Sequence, residues 1–184
     1  PIMGRDFYRI DPSESRYVGE TLGGTPDPGS FAGGGGYAGF FVGIRAATTL
    51  ITALPTAPAT ELSAAEKSAA SGFAQTIKAL DYLRLIELRD TVGIPIQNPD
   101  PDVLPAVRCK EAVQAMIAAV LDSGLADLNA AGNIKMPFKL PGGYSAHGRD
   151  YNQVSNFILF NRAIKGKLDV ERAINRKAPS AAAA

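Results

Sequence analysis

Tryptophan is absent from this chain, and histidine and cysteine occur once each, as His147 and Cys109. A lone cysteine cannot close a disulfide within the chain. One thiol and one imidazole do not complete the tetrahedral ligand set of a structural zinc. No metal and no cofactor is therefore expected. An excess charge of one sign is also missing: 19 basic residues face 18 acidic ones, without a basic block. Phosphate backbones are held by concentrated positive surface, so no nucleic-acid partner is expected. The opening PIMGRDFYRI lacks the basic start and apolar core of a signal peptide and reads like a chain entered mid-protein. The longest apolar stretch, 37–54, carries Arg45 near its middle along with several Gly and Thr. It reads as too short and too polar to span a membrane.

What the chain does have is 184 residues, 46% of them apolar, enough for one core or for part of a larger domain. Residues 5–36 are rich in Gly, Pro, Asp and Ser and predict irregular, surface-covering chain. Helical periodicity then begins. Phe40, Phe41, Ile44, Ala47, Thr48 and Ile51 share a face, predicting a helix over Ala38 to Leu54 that Pro55 and Pro58 stop. Ser63 and Glu66 form a capping-box pair, followed by Phe73, Ala74, Ile77, Leu80, Tyr82, Leu85 and Ile86 on one broad face, which predicts a second helix to about Arg89.

A third helix is predicted over Cys109 to Ala130, with Val113, Met116, Ile117, Val120, Leu121, Leu125 and Leu128 in register. Gly124 weakens it by roughly 1 kcal/mol relative to Ala. A fourth helix is predicted from Tyr151 or Asn152 through Val154, Phe157, Ile158, Phe160, Ile164 and Leu168, with a break near Gly166 and a further helix beyond. No run alternates at period two for long enough to make a sheet. The expected fold is all-α, with antiparallel helix pairs and long irregular loops. Residues 1–177 read as one domain. Residues 178–184, ending in four alanines, read as a tail of uncertain identity.

Gly34, Gly36 and Gly39 match G-x-G-x-x-G, and a helix follows. A phosphate loop of that kind also needs a strand directly before it and an acidic residue ending a second strand. PDPGSFAG cannot be a buried strand, and prolines occupy the place of the second; no Lys-Ser or Lys-Thr follows Gly39. The run is read as a flexible lead-in to a helix. His147 lies near Tyr144, Arg149 and Asp150 in a polar loop, and no catalytic role is assigned to it. Cys109, at a predicted helix start, reads as a packed or idle thiol. Arg162, Lys165 and Lys167 are expected on a solvated outer face. Phe31, Tyr37 and Tyr144 are expected in loops and are candidate ligand-stacking rings, though such rings also pin loops to helices.

Several segments in order resemble the SusD/RagB family of outer-membrane nutrient-binding lipoproteins. They are MGRDFYRIDPSESRYVGETLGG, YAGFFVGIRAATTLITAL, LSAAEKSAASGFAQTIKALDYLRLIELRDTVGIPI and YNQVSNFILFNRAIKGKLDVERAI. In the third, Ala79, Tyr82, Leu83, Gly93 and Pro95 match the family pattern; in the fourth, Asn161, Ala163, Gly166 and Lys167 do. The likeness covers roughly residues 2–177 and corresponds to the N-terminal part of longer family members. It implies tetratricopeptide-like helix pairs and a location at the cell surface on the outer membrane, with a lipid anchor outside this chain. It implies no enzymatic activity. The implied partners are a SusC-like TonB-dependent transporter, which the protein would cap, and a glycan or peptide ligand. Glycan binders of the family commonly stack sugars on tryptophan, which this chain lacks. The alternative expectation is a helical-repeat structural subunit that binds other proteins and no nutrient.

Overall fold

Helix caps and breakers decide where the elements begin and end. The computed structural model describes residues 19, 27, 36–98, 100, 102–145 and 148–177. Helix α1 runs over Gly36–Ala53 and tightens into a 3-10 turn at Leu54–Thr56, where Pro55 halts it. Helix α2, Ala64–Arg89, starts on the expected capping box. Glu66 N–H donates to Ser63 Oγ at 3.3 Å, and Ser63 N–H donates to Glu66 Oε2 at 2.8 Å.

Past Arg89 the chain turns sharply. Asp90 has φ 42° and Gly93 φ 76°. A Cβ on Gly93 would run into the backbone of Arg108, so only glycine lets the two segments meet. They meet as a short antiparallel pair, β1 (Ile94–Pro95) and β2 (Val107–Arg108), with Ile94 opposite Arg108. Helix α3, Lys110–Ala131, follows with Cys109 as its N-cap and ends at Gly132, φ 72°. Helix α4 spans Val154–Lys177.

Contacts divide the chain into two units, Pro1–Val42 and Gly43–Ala184. In the first, the Tyr37 ring stands edge-on to Phe41 at 5.2 Å. The second holds the bundle of α2, α3 and α4. Ser71 and Gln75 of α2 both donate to Asp127 Oδ2 at 2.6 Å, near the end of α3. At the opposite end Lys110 of α3 pairs with Asp90 just past α2. The two helices therefore run antiparallel. Gly72 marks their closest approach: a Cβ there would lie 2.6 Å from Leu128 Cγ and 2.8 Å from Gly124 O. Helix α4 returns antiparallel to α3, setting Val154 and Phe157 into one cluster with Leu128, Ala131, Ala69, Met136 and Leu140.

A polar clasp joins the three helices at mid-height. The fully buried Asn161 donates from Nδ2 to Thr76 Oγ1 at 2.8 Å and to Leu121 O at 3.2 Å. Its Oδ1 accepts from Arg162 Nη2 at 2.6 Å. Every polar group of that amide is thus answered, as burial requires.

The described residues are mostly helical, as expected, and the two-residue strands are the only paired strands among them. Three expectations need correction. Helix α4 begins at Val154 rather than Tyr151 or Asn152, because Gln153 pairs with Lys135 and Val154 N–H donates to Ile134 O at 3.0 Å. It also runs unbroken through Gly166. Ile164 and Leu168 on either side are buried, and their anchorage outweighs the roughly 1 kcal/mol that one glycine costs. The stretch 37–54 is not too short: Tyr37–Thr56 is long and apolar enough to cross a membrane by length and composition, with mean hydropathy 1.4 and 17% of the window buried. Its hydroxyls are masked, since Thr48, Thr52 and Thr56 donate to the carbonyls of Ile44, Thr48 and Ala53.

Candidate functional site

Tyr144 is the best-defined of the three candidate rings. It sits in the 3-10 turn Gly142–Ser145, and its ring meets Phe160 at 5.7 Å, Phe157 at 6.4 Å and Tyr151 at 6.5 Å. Three aromatic neighbours make it first a pin for the turn. Tyr37, expected in a loop, instead lies in the first turn of α1, half-buried against Phe41 in the other unit. Phe31 lies outside the described residues, as do His147 and the glycines before Gly36.

The loop before α4 is tied by Asp150. Its Oδ1 accepts from Asn152 N–H at 3.0 Å, Asn152 Nδ2 at 2.6 Å and Ser145 Oγ at 3.2 Å. The Asn152 side chain, with its backbone N–H and Ser145 behind it, holds the Asp150 carboxyl below the usual range. Asn152 Oδ1 in turn accepts from Leu140 N–H at 2.9 Å. Asp150 is thus committed to holding the loop.

A second group of perturbed polar side chains lies along α2 and beside it, and no sequence motif announces it. Asp81 is pressed under Gly43 so closely that a Cβ on Gly43 would collide with its carboxylate. Burial pushes the Asp81 carboxyl up to about 6. Tyr144 is raised by burial and by the negative charge of Asp81. Lys78 is lowered by burial and then by the nearby Arg45. Burial also raises Tyr82, whose hydroxyl accepts from Gln97 N–H at 2.9 Å. Asp81 with Tyr144, and Lys78 with Arg45, are two perturbed pairs of the kind that occurs at functional sites. The sequence signal was available only in hindsight: Lys78 and Asp81 interrupt the apolar face of α2 at i, i+3 spacing, beside the matching Ala79 and Tyr82.

A shallow groove of about 230 Å³ opens at the other end of the bundle, lined by Ile86, Glu87, Asp90, Lys110, Glu171 and Ile174. It falls below the ~300–1,000 Å³ of ordinary small-molecule sites, and its acids are paired, Asp90 with Lys110 and both glutamates with Lys167. Among the described residues no three His, Cys, Asp or Glu could jointly hold a metal ion. Cys109 is exposed rather than packed. Arg162 and Lys165 are half-buried at the flank of α4 and both pair with Asp122, instead of standing on its outer face. No family model, no curated protein and no solved structure matches this chain.

Proposed function

We propose that the chain is the N-terminal part of a SusD-like subunit that binds a glycan or peptide nutrient at the cell surface and caps a TonB-dependent outer-membrane transporter. One observation carries this reading: five of the nine residues on which the resemblance rests, Ala79, Tyr82, Leu83, Gly93 and Asn161, have structural duties, while Ala163, Gly166 and Lys167 are exposed. Ala79, Tyr82 and Leu83 are buried in α2, and Tyr82 holds the segment after β1 through Gln97. Gly93 alone permits the approach of Arg108. Asn161 closes the three-helix clasp. The antiparallel succession α2, α3, α4 suits a tetratricopeptide-like array.

In this reading recognition rests on shape and on the Arg45, Lys78, Asp81 and Tyr144 cluster, and no bond is made or broken. The second reading, a structural subunit that binds other proteins, draws support from the exposed apolar side chains Leu159, Val170 and Ile174 on α4. Protease treatment of intact cells producing the complete protein tests the proposal. The chain should be cleaved while cytoplasmic markers survive. Survival of the chain until the cells are lysed would remove the cell-surface reading.

A further inference from the structure

Helix α2 carries the acidic side chains Glu66, Asp81 and Glu87. Glu66 closes the capping box, and Glu87 pairs with Arg84 and Lys167. Asp81 differs from both. Among the described residues its carboxyl accepts no hydrogen bond and joins no ion pair, and burial alone perturbs it. It is partly buried, and Gly43 of α1 lies against it: a Cβ on Gly43 would stand 3.3 Å from Asp81 Cγ and closer still to Oδ2. A neutral carboxyl is tolerated in such a place, because desolvation falls chiefly on the charged form. An ionised one has to draw water in beneath Gly43 or part from it.

The surrounding charges do not take over this titration. The one charged residue of α1 is Arg45, whose charge acts on Lys78 and Tyr82. On α2, Lys78 and Arg84 stand three residues to either side of Asp81, and Arg84 is drawn to Glu87 at 3.3 Å. Lys78 is lowered by burial and by Arg45, so losing its proton tightens the fold as pH rises, the opposite sense to Asp81. From the turn Gly142–Ser145, Tyr144 lies within reach of the Asp81 charge; raised above 10, it keeps its proton through the neutral range. The anchorage of α1 beyond Gly43 is shallow. Ile44 and Ala47 are buried, while Ala46, Thr49, Thr52 and Ala53 are exposed. Elements with few buried apolar contacts open ahead of the whole molecule.

We propose that Asp81 is a proton-operated latch on α1: while it holds its proton the segment Gly43–Ala53 stays seated, and when the proton leaves that segment lifts with α2, α3 and α4 still folded. The latch rests on the approach of Gly43 to Asp81 and is independent of the SusD-like reading.

Hydrogen exchange read by mass spectrometry tests it on the full 184-residue chain, at pH 5 and pH 7.5, with exposure times scaled to the intrinsic exchange rate. Amides of residues 47–53 should lose protection about fivefold at the higher pH, and those of residues 113–128 in α3 should keep theirs. Asp81→Asn keeps the shape and cannot ionise, so residues 47–53 should be equally protected at both pH values. His147 lies outside the described residues and its side chain titrates in the same range, so His147→Asn should leave the parental response in place. Equal protection of residues 47–53 in the parent at the two pH values overturns the proposal. So does a response that survives Asp81→Asn or vanishes with His147→Asn. An equal loss across residues 113–128 also overturns it, because the whole chain would then be opening.

Discussion

Asp81 shows how one residue couples a helix crossing to pH. Its folded-state value of about 6 stands above the ordinary 3.8, so the folded chain holds a proton that the unfolded chain has released between those limits. Stability from this group is therefore greatest below about pH 4 and is lost as pH rises through about 6. Asp81 is only partly buried, which discounts the effect to about 1 kcal/mol. Asp81→Asn should stabilise the chain by about that amount at pH 7.5 and flatten the slope of urea stability between pH 4 and 7. An unaltered slope would show that the carboxyl is solvated when folded. Asp150 and Glu66 work in the opposite sense, since their lowered values withdraw stability only in acid. Tyr144 separates pinning from ligand contact. Tyr144→Ala should cost about 3 kcal/mol through the lost aromatic packing, and Tyr144→Phe should keep the fold. If Tyr144→Phe weakens binding of a nutrient, the phenol contacts it directly.

At the scale of elements, the helices were legible because their signals are local. The Ser63–Glu66 capping box and the apolar spacing of α2 fixed that helix to within a residue, and Gly132 ended α3 one residue past the expectation. The start and continuity of α4 were misread for a physical reason. The pairing of Gln153 with Lys135 delays the helix, and the burial of Ile164 and Leu168 carries it past Gly166; both depend on chain distant in sequence. Gly124 is a similar case. Read alone it weakens α3, but it faces Gly72 across the seam with α2, where a Cβ would stand 3.3 Å from Gly72 O and from Gln75 Cβ. Two predictions belong here. Ser63→Ala should cost about 1 kcal/mol in urea unfolding. Gly72→Val should cost more than about 3 kcal/mol, because Leu128 and the α3 backbone would have to move apart. A Gly72→Val chain as stable as the parent would contradict the close seam.

For the molecule as a whole, the sequence indicated helices and a family likeness, while the perturbed groups around Asp81 emerged only from packing. Clusters of that kind join residues such as Gly43, Asp81 and Tyr144 that lie far apart along the chain, and no spacing rule connects them. The cations of FNRAIKGK read as a solvated face, but Arg162 and Lys165 turn aside toward Asp122, a partner far away in sequence. What remains is a bundle that presents surfaces and holds them rigidly through its clasp and glycine seam. The central claim is that those surfaces serve a nutrient transporter of the outer membrane. Affinity isolation of the complete protein from gently solubilised envelopes, followed by quantitative mass spectrometry, tests it most directly. The account predicts a TonB-dependent β-barrel recovered in stoichiometric amount with the chain; a stoichiometric assembly devoid of any such barrel would contradict it.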